Sequence, residues 1–302
     1  MYKRLELHNH TTESDGAISC RELAEYMLLD CADAFAITDH NTISGHRKIR
    51  KLLAEEHLPI QCIYGMEYTT YYGHILCLNL EEYVPWEDIN LYHPELLFKA
   101  AQEKGALVGI AHPYSYGHPF ARGCRFDMQI TDYSCVDFIE IFNNPEPLHE
   151  VNERGLNLWE ELVLSGQKIA MTCGMDLHGK WSMAGQYATF IQGETDGDIA
   201  SELAEAIRKQ KTCISLGPVL VAEFANDSLN FSLEETGKPG WKHDPKLSYL
   251  VMVRSANHVV TKPLGEAFYT AEFGQDPILI PKLFEGDTSL EHLICVGSAL
   301  CR

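Results

Sequence analysis

The sequence predicts an α/β barrel followed by a small all-β domain. Three observations carry this expectation. Apolar runs alternate with amphipathic helical patterns up to about residue 210, short strand-like runs broken by Gly, Pro, Asn and Asp follow, and chemistry-bearing side chains gather at the ends of the early strands. Residues 5–8 read as the first strand. Residues 19–29 follow as a helix, with Ser19 as its cap and Leu23, Met27 and Leu28 on one face. Residues 34–38 are the next strand and residues 44–56 the next helix. Residues 59–70 and 74–80 predict a strand pair turned at Tyr72-Gly73. A helix over 94–104, strands over 106–111 and 137–142, a helix over 148–165 stopped by Gly166, a strand over 168–173 and a helix over 197–209 complete this part. Repeated strand-then-helix units imply a parallel sheet with helices outside it, and this many units favour closure.

After Lys211 the runs at 212–216, 219–225, 229–233, 247–254, 267–273 and 293–296 are short and strand-like. Gly217-Pro218 marks the boundary, which gives domains over 1–215 and 216–302. There is no internal repeat and no low-complexity stretch.

A chain of 302 residues buries about three quarters of the surface its unfolded form exposes, so it needs no staples to build a core. Its 24 Lys and Arg face 43 Asp and Glu, a formal charge of −19. That balance disfavours polymeric nucleic acid and anionic membrane as partners, because both require clustered cations. The 10 cysteines are scattered through apolar runs without a CxxC pair, which reads as free thiols in a reducing compartment. The N-terminus enters a charged strand directly and no apolar stretch reaches the length of a membrane span, so the expectation is a soluble, cytoplasmic protein.

The histidines and carboxylates are placed unevenly. His8 and His10 end the first strand, Asp15 lies in the loop after it, and His40 ends the second strand in Thr38-Asp39-His40. Glu67 sits in Gly65-Met66-Glu67, His74 opens the following run, His112 follows Gly109-Ile110-Ala111, and Asp176 and His178 end the strand at 168–173. In a parallel barrel those ends converge on one mouth, so residues spread along the chain share one site. Six imidazoles and three carboxylates form a mixed nitrogen and oxygen set that suits Zn, Mn or Fe. Nine ligands exceed one four-coordinate site and fit two or three divalent metal ions bridged by a carboxylate. No Ser or Cys sits in a nucleophile elbow. Asp39, beside His40, reads as a residue that orients a histidine, and Glu140 reads equally as a packed supporting group or a substrate contact.

The ordered run Leu7-His8-Asn9-His10-Thr11-Thr12-Glu13-Ser14-Asp15-Gly16, Ile37-Thr38-Asp39-His40-Asn41, Gly65-Met66-Glu67, Gly73-His74-Ile75-Leu76, Ala111-His112-Pro113 and Gly174-Met175-Asp176-Leu177-His178 resembles the polymerase-and-histidinol-phosphatase (PHP) family of metal-dependent phosphoesterases. The resemblance covers about residues 1–215 and implies a distorted seven-stranded (β/α)7 barrel with a trinuclear metal site. It implies His8, His10, Glu67 and Asp176 at the first ion, Glu67 as a bridge with His74 and His112 at the second, and Asp15, His40 and His178 at the third. Residues 206–218 are similar to the segment that closes this domain in stand-alone members with a β-rich extension, including the carbaryl-hydrolase-like (CehA/McbA) metallohydrolases. The stretch 75–111 leaves no room for the cap domain of the family's nucleotide phosphatases.

The function expected from this resemblance is release of phosphate from a small, anionic phosphomonoester or diester by a hydroxide held between metal ions, with Glu67, Asp176 and His178 at the catalytic step. Hydrolysis of a carboxylic or carbamic ester or amide is the alternative, and a non-catalytic metal-bearing binding module is a third reading. His118, Arg122, Arg125, Asn143 and Lys180 are the expected substrate contacts, since they lie in loops at the barrel mouth and offer cationic or amide donors.

Overall fold

The computed structural model describes residues 1–116, 122–144, 146 and 148–302, without the side chain of Arg122. The first part of the chain builds β1 (Tyr2–Glu6), α1 (Cys20–Leu29), β2 (Ala34–Ile37), α2 (Ser44–Glu56), β3 (Gln61–Thr70), β4 (Gly73–Leu78), α3 (Glu95–Glu103), β5 (Leu107–Ile110), β6 (Phe138–Asn143), α4 (Glu153–Leu164), β7 (Ala170–Gly174), β8 (Ala188–Gln192) and α5 (Ile199–Arg208). Nine further strands follow: β9 (Cys213–Ser215), β10 (Val219–Ala225), β11 (Ser228–Glu234), β12 (Tyr249–Arg254), β13 (Val259–Pro263), β14 (Phe268–Tyr269), β15 (Ile278–Glu285), β16 (Leu293–Val296) and β17 (Leu300–Cys301).

Strands β1 to β7 neighbour one another in chain order. The pairs β1–β2, β2–β3, β5–β6 and β6–β7 are parallel, whereas β4 runs antiparallel to both β3 and β5. The link between β3 and β4 is two residues long, too short for the crossover that a parallel pair needs. The run bends until its ends meet. Just beyond β1 and β7, Asn9 and Leu177 form a parallel bridge, with His10 N donating to Leu177 O at 2.8 Å and Leu177 N to His8 O at 3.2 Å.

Helices cover the outside. At the start of α1 the Ser19 hydroxyl accepts from Glu22 N at 3.3 Å, the cap that the sequence predicts, and the Glu22 carboxylate returns the bond by accepting from Ser19 N at 2.9 Å. The helix buries Leu23 and Met27 in a cluster with Phe35, Ile37 and Ile49. In α4, Trp159 and Val163 pack with Ile139, Ile169 and Met171, and the Trp159 indole donates to Ile169 O at 3.0 Å. The helix expected over 148–165 starts later, at Glu153. Residues 148–152 are kinked, with Glu150 at φ 73°, because the Asn152 side chain braces the turn after β6 by bonding Asn143 N at 2.9 Å and Asn143 O at 3.1 Å.

On the other side of β1 the same sheet continues through β8, β9, β16, β15, β12 and β13, while β10, β11 and β14 form a separate three-stranded antiparallel sheet. Strands β8, β13, β15 and β17 are not among the predicted ones. In β15, Pro281 stands in the middle of the run and lacks a ladder donor, the signal that argues against a central strand. The strand expected over 267–273 is only the two residues of β14, followed by a 3-10 turn over Thr270–Phe273. A buried ion cluster ties α4 to the C-terminal strands: Glu160 is fully buried and accepts from Lys282 Nζ at 2.6 Å and from Arg254 Nη1. No described helix is long and apolar enough to cross a membrane.

Glu160→Ala leaves two cations facing an apolar gap. The variant should lose about 3 kcal/mol of stability, since removing one member of a buried ion cluster strands its partners. Denaturant titration checks this, and a loss under about 1 kcal/mol would show that solvent already satisfies Lys282 and Arg254.

Candidate metal centre

The backbone around His8 and His10 is fixed by the residue between them. The Asn9 amide donates to Glu6 O at 3.0 Å and Ala36 O at 2.9 Å, its backbone N donates to Thr38 Oγ1 at 3.0 Å, and Thr38 N donates to Asn9 O at 3.0 Å. With Asn9 committed to the neighbouring strand, the alternation of an extended chain sends both flanking imidazoles to the opposite face, inside the ring of strands. A second bridge, His40 to Glu67, places Glu67 beside them.

Four groups of side chains offer atoms close enough to share an ion: His8, His10, Glu67 and Asp176; Glu67, His74 and His112; His10, Asp15, His40 and His178; and His8, His112 and Glu140. All nine residues assigned to the metals from sequence are thus brought together at one end of the sheet. Glu67 Oε1 lies 2.8 Å from His74 Nδ1 and 3.1 Å from His112 Nε2, while its Oε2 lies 3.2 Å from His8 Nε2, 3.4 Å from His10 Nε2 and 2.9 Å from His40 Nδ1. Asp176 Oδ1 is 2.9 Å from His10 Nε2, and Asp15 Oδ1 is 3.3 Å from His178 Nε2 and 3.5 Å from His40 Nε2. His8 Nε2, both ring nitrogens of His10, Glu67 Oε2 and Asp176 Oδ1 are buried and have no hydrogen bond of normal geometry among the described residues. Buried polar atoms are almost always hydrogen-bonded, so lone pairs aimed at one another around a common point fit a divalent cation better than they fit a packed core.

The charges of the metal-free cluster follow from its geometry. Burial alone would push Glu67 up, yet the facing His8 and His74 and the bonds from His112 and His40 hold it well below the usual carboxylate range. Burial likewise opposes ionisation of Asp176, and His8 and His10 outweigh it. For His112 burial pulls down, and Glu67, Asp176 and Glu140 raise the ring to about 9. His8 is raised well above its ordinary value by Glu140, Glu67 and Asp176 against the same burial. In His10 burial wins over Asp176, and the ring falls to about 4.

Two of the gathered residues hold left-handed backbone, His112 at φ 26° and Asp176 at φ 48°. Such conformations persist where surrounding bonds enforce them. For His112 the enforcing group is Glu140, which accepts from His112 N at 3.2 Å and lies 3.0 Å and 3.1 Å from His8 Nδ1 through its two oxygens. Glu140 is fully buried, and it resolves toward the supporting role because both its oxygens are spent on His8 and His112. Its position depends on Gly174: a Cβ there would sit 2.2 Å from Glu140 Oε1 and 2.5 Å from His8 Cβ. A lone acidic residue in the apolar strand Phe138-Ile139-Glu140-Ile141-Phe142 was the available sequence signal, because a buried charge must be paired.

Asp39 bonds to no histidine among the described residues. Its carboxylate accepts from Thr11 N at 2.7 Å, Thr11 Oγ1 at 2.9 Å and Ser14 Oγ at 2.7 Å, so it shapes the loop that carries Asp15. The expected substrate contacts separate. Asn143 reaches the cluster, donating to Asp176 Oδ2 at 3.2 Å. Arg125 lies 3.6 Å from Asp127, and Lys180 donates to Glu22 at 3.3 Å; both side chains are exposed and outside the ligand groups. His118 and the side chain of Arg122 lie outside the described residues. An open cavity of about 580 Å³ rests against Asp15, His40 and His74, with Thr70, Tyr71 and Cys124 on its other walls. A larger groove of about 720 Å³, between α5 and the C-terminal strands, contains none of the ligand groups.

The model of the PHP domain family matches residues 6–214. An uncharacterized protein of Methanocaldococcus jannaschii is 34% identical over 168 residues, which cover 51% of this chain and 90% of that protein. A 5'-3' exoribonuclease of Haemophilus influenzae is 33% identical over 89 residues, 28% of this chain and 32% of that enzyme. A two-domain protein from Bacteroides vulgatus, described as containing a predicted PHP-like metal-dependent phosphoesterase, superposes with a TM-score of 0.57 at 14% identity, covering 99% of this chain and 95% of that one. The last likeness shows a shared fold.

Two outcomes follow from the geometry. Glu140→Gln should weaken metal affinity by roughly 10–100-fold, since the carboxylate that orients His8 is lost; calorimetric titration with Zn²⁺ measures it, and unchanged affinity would mean that packing alone orients the ring. His112, at about 9, carries a proton at pH 7 that a ligating nitrogen must lose. Its raised value favours the metal-free fold below the unfolded value near 6.5, an advantage lost as pH rises through about 9. Zn²⁺ added at pH 7 should therefore acidify a weakly buffered solution, and apparent affinity should climb between about pH 7 and 9. A pH-independent affinity would contradict the protonated ring.

Proposed function

The chain belongs to the PHP domain family, and from that premise we propose that it is a metal-dependent hydrolase whose substrate is a small phosphomonoester or phosphodiester. The observation that carries the reading is the knot of buried, unbonded nitrogen and oxygen atoms around Glu67. In this reading strands β1 to β7 are the distorted seven-stranded (β/α)7 barrel, with residues 1–215 as the catalytic domain and 216–302 as a second one. His8, His10, Glu67 and Asp176 hold one divalent ion, Glu67, His74 and His112 a second, and Asp15, His40 and His178 a third, of Zn, Mn or Fe character. When bound, such ions supply Lewis-acid polarisation and a water acidified toward neutrality.

The chain's own groups set the stage for that chemistry. Glu67 divides its two oxygens between neighbouring groups of histidines. Asn143 holds one oxygen of Asp176 and leaves the other facing His10. Asp15, His40 and His74 face the open cavity, the approach through which a substrate meets the cluster. Arg125 and Lys180 are free to turn toward an anion, because exposed ion pairs such as theirs are worth little. The −19 charge disfavours a polymer with many phosphates and leaves a small anion as the fitting partner.

Carboxylic or carbamic ester hydrolysis is the second reading, favoured by one observation: between β4 and β5 the chain builds only α3, so no cap covers the mouth to clamp a nucleotide. Chelation should abolish phosphate release from p-nitrophenyl phosphate, and Mn²⁺ or Zn²⁺ should restore it. Glu67→Gln should lower the rate by more than about 100-fold, beyond the loss of a supporting group. Turnover of p-nitrophenyl acetate with the phosphate ester untouched would transfer the assignment to the second reading, and phosphate release indifferent to chelation would overturn both.

A further inference from the structure

The segment between β11 and β12 turns back from the C-terminal strands and lies on the loop that follows His178. Lys238 is 5% exposed, and its ammonium donates to Met183 O at 3.0 Å and to Pro239 O at 3.4 Å. No carboxylate lies within ion-pair distance of it among the described residues. Burial, with Arg4 nearby, lowers the Lys238 ammonium to about 8 despite Glu6 and Asp30. A lysine placed this way is poorly suited to ion pairing, and its donors are spent on two main-chain carbonyls.

Gly240 supplies an independent contact to the same loop. It stands at φ 96°, and a Cβ there would fall 1.9 Å from Gly185 N and 2.6 Å from Ala184 C, so main chain lies directly on main chain. Gly185 N also points at Pro239 O, 3.5 Å away. The underside of the loop is anchored as well. Met183 is buried in one apolar cluster with Met175 and Leu177, the two residues that flank Asp176, and Leu177 bonds through its backbone to His8 and His10. A chain of packed groups thus runs from Met183 to the two residues that flank Asp176.

We propose that residues 237–241 form a strap by which the C-terminal region positions the loop bearing Asp176 and His178, with Lys238 and Gly240 as its two positioning residues. The inference rests on the reading of Asp176 and His178 as metal ligands, and it gives the β-rich region a part in building the site.

Full-length Lys238→Met and Gly240→Ala proteins test it by two readouts. Hydrogen exchange on the metal-free proteins should quicken in peptides spanning 177–185 while α2 and α4 keep their protection. Calorimetric titration with Zn²⁺ should show the two sites that Asp176 and His178 serve weakened roughly tenfold and the site of Glu67, His74 and His112 unchanged. Unchanged exchange in 177–185 in both variants overturns the strap, as does faster exchange spread evenly over the chain. If Gly240→Ala does not fold, Lys238→Met decides alone. If the unaltered protein binds neither Zn²⁺ nor Mn²⁺, the functional reading fails, and the exchange measurement still decides whether the strap holds the loop.

Discussion

Glu67 is a carboxylate with no access to water, and five imidazoles approach its two oxygens within 3.4 Å. Removing such a charge from solvent costs several kcal/mol unless cationic or donor groups surround it. Those groups come from four strand ends: His8 and His10 after β1, His40 after β2, His74 at β4 and His112 after β5. The ladder must therefore deliver all of them in one register, since a slip of one residue turns every side chain to the opposite face. The bridge between His40 and Glu67 and the bond from Glu67 N to Thr38 O, at 3.2 Å, fix that register where it matters.

Buried charge occurs elsewhere in the protein with a different character. On β1, below the histidines, Arg4 donates to Glu6 Oε1 at 2.9 Å and 2.7 Å and to Asp30 O at 2.7 Å. Glu160 takes two cations on its two oxygens. Both clusters are saturated, with donors and acceptors matched, and both join elements together. The cluster around Glu67 instead leaves His8 Nε2, both His10 ring nitrogens, Glu67 Oε2 and Asp176 Oδ1 without a hydrogen bond of normal geometry among the described residues. That shortfall, rather than burial or charge as such, separates a binding centre from a structural clamp.

Local signals in the sequence were read well. The Ser19 cap, the apolar stripe of α1 and the full extents of α2, β10 and β16 all follow from neighbouring residues. The strand-end rule located the cluster, because the ends of the parallel strands face one mouth, and antiparallel β4 brings its start, with His74, to the same place. What escaped depends on distant partners. Glu140 acquires its meaning from His8, 132 positions away, and Asp39 was assigned to its sequence neighbour although its bonds go to Thr11 and Ser14. β15 was hidden by Pro281, which the flanking strands β12 and β16 tolerate.

The position of β1 in the sheet sets the order in which the chain can be completed as it leaves a ribosome. β1 emerges before both of its neighbours and gains β2 within a few dozen residues, but its other neighbour is β8, where Leu5 pairs with Thr189. The bridge between Asn9 and Leu177 waits nearly as long. At typical rates of synthesis that interval is about 10–40 s. Throughout it β1, which leads into His8 and His10, has one open edge, able to pair with another nascent chain. Crowded synthesis would therefore tax this protein at β1, whose open edge is guarded only by the charges of Lys3, Arg4 and Glu6.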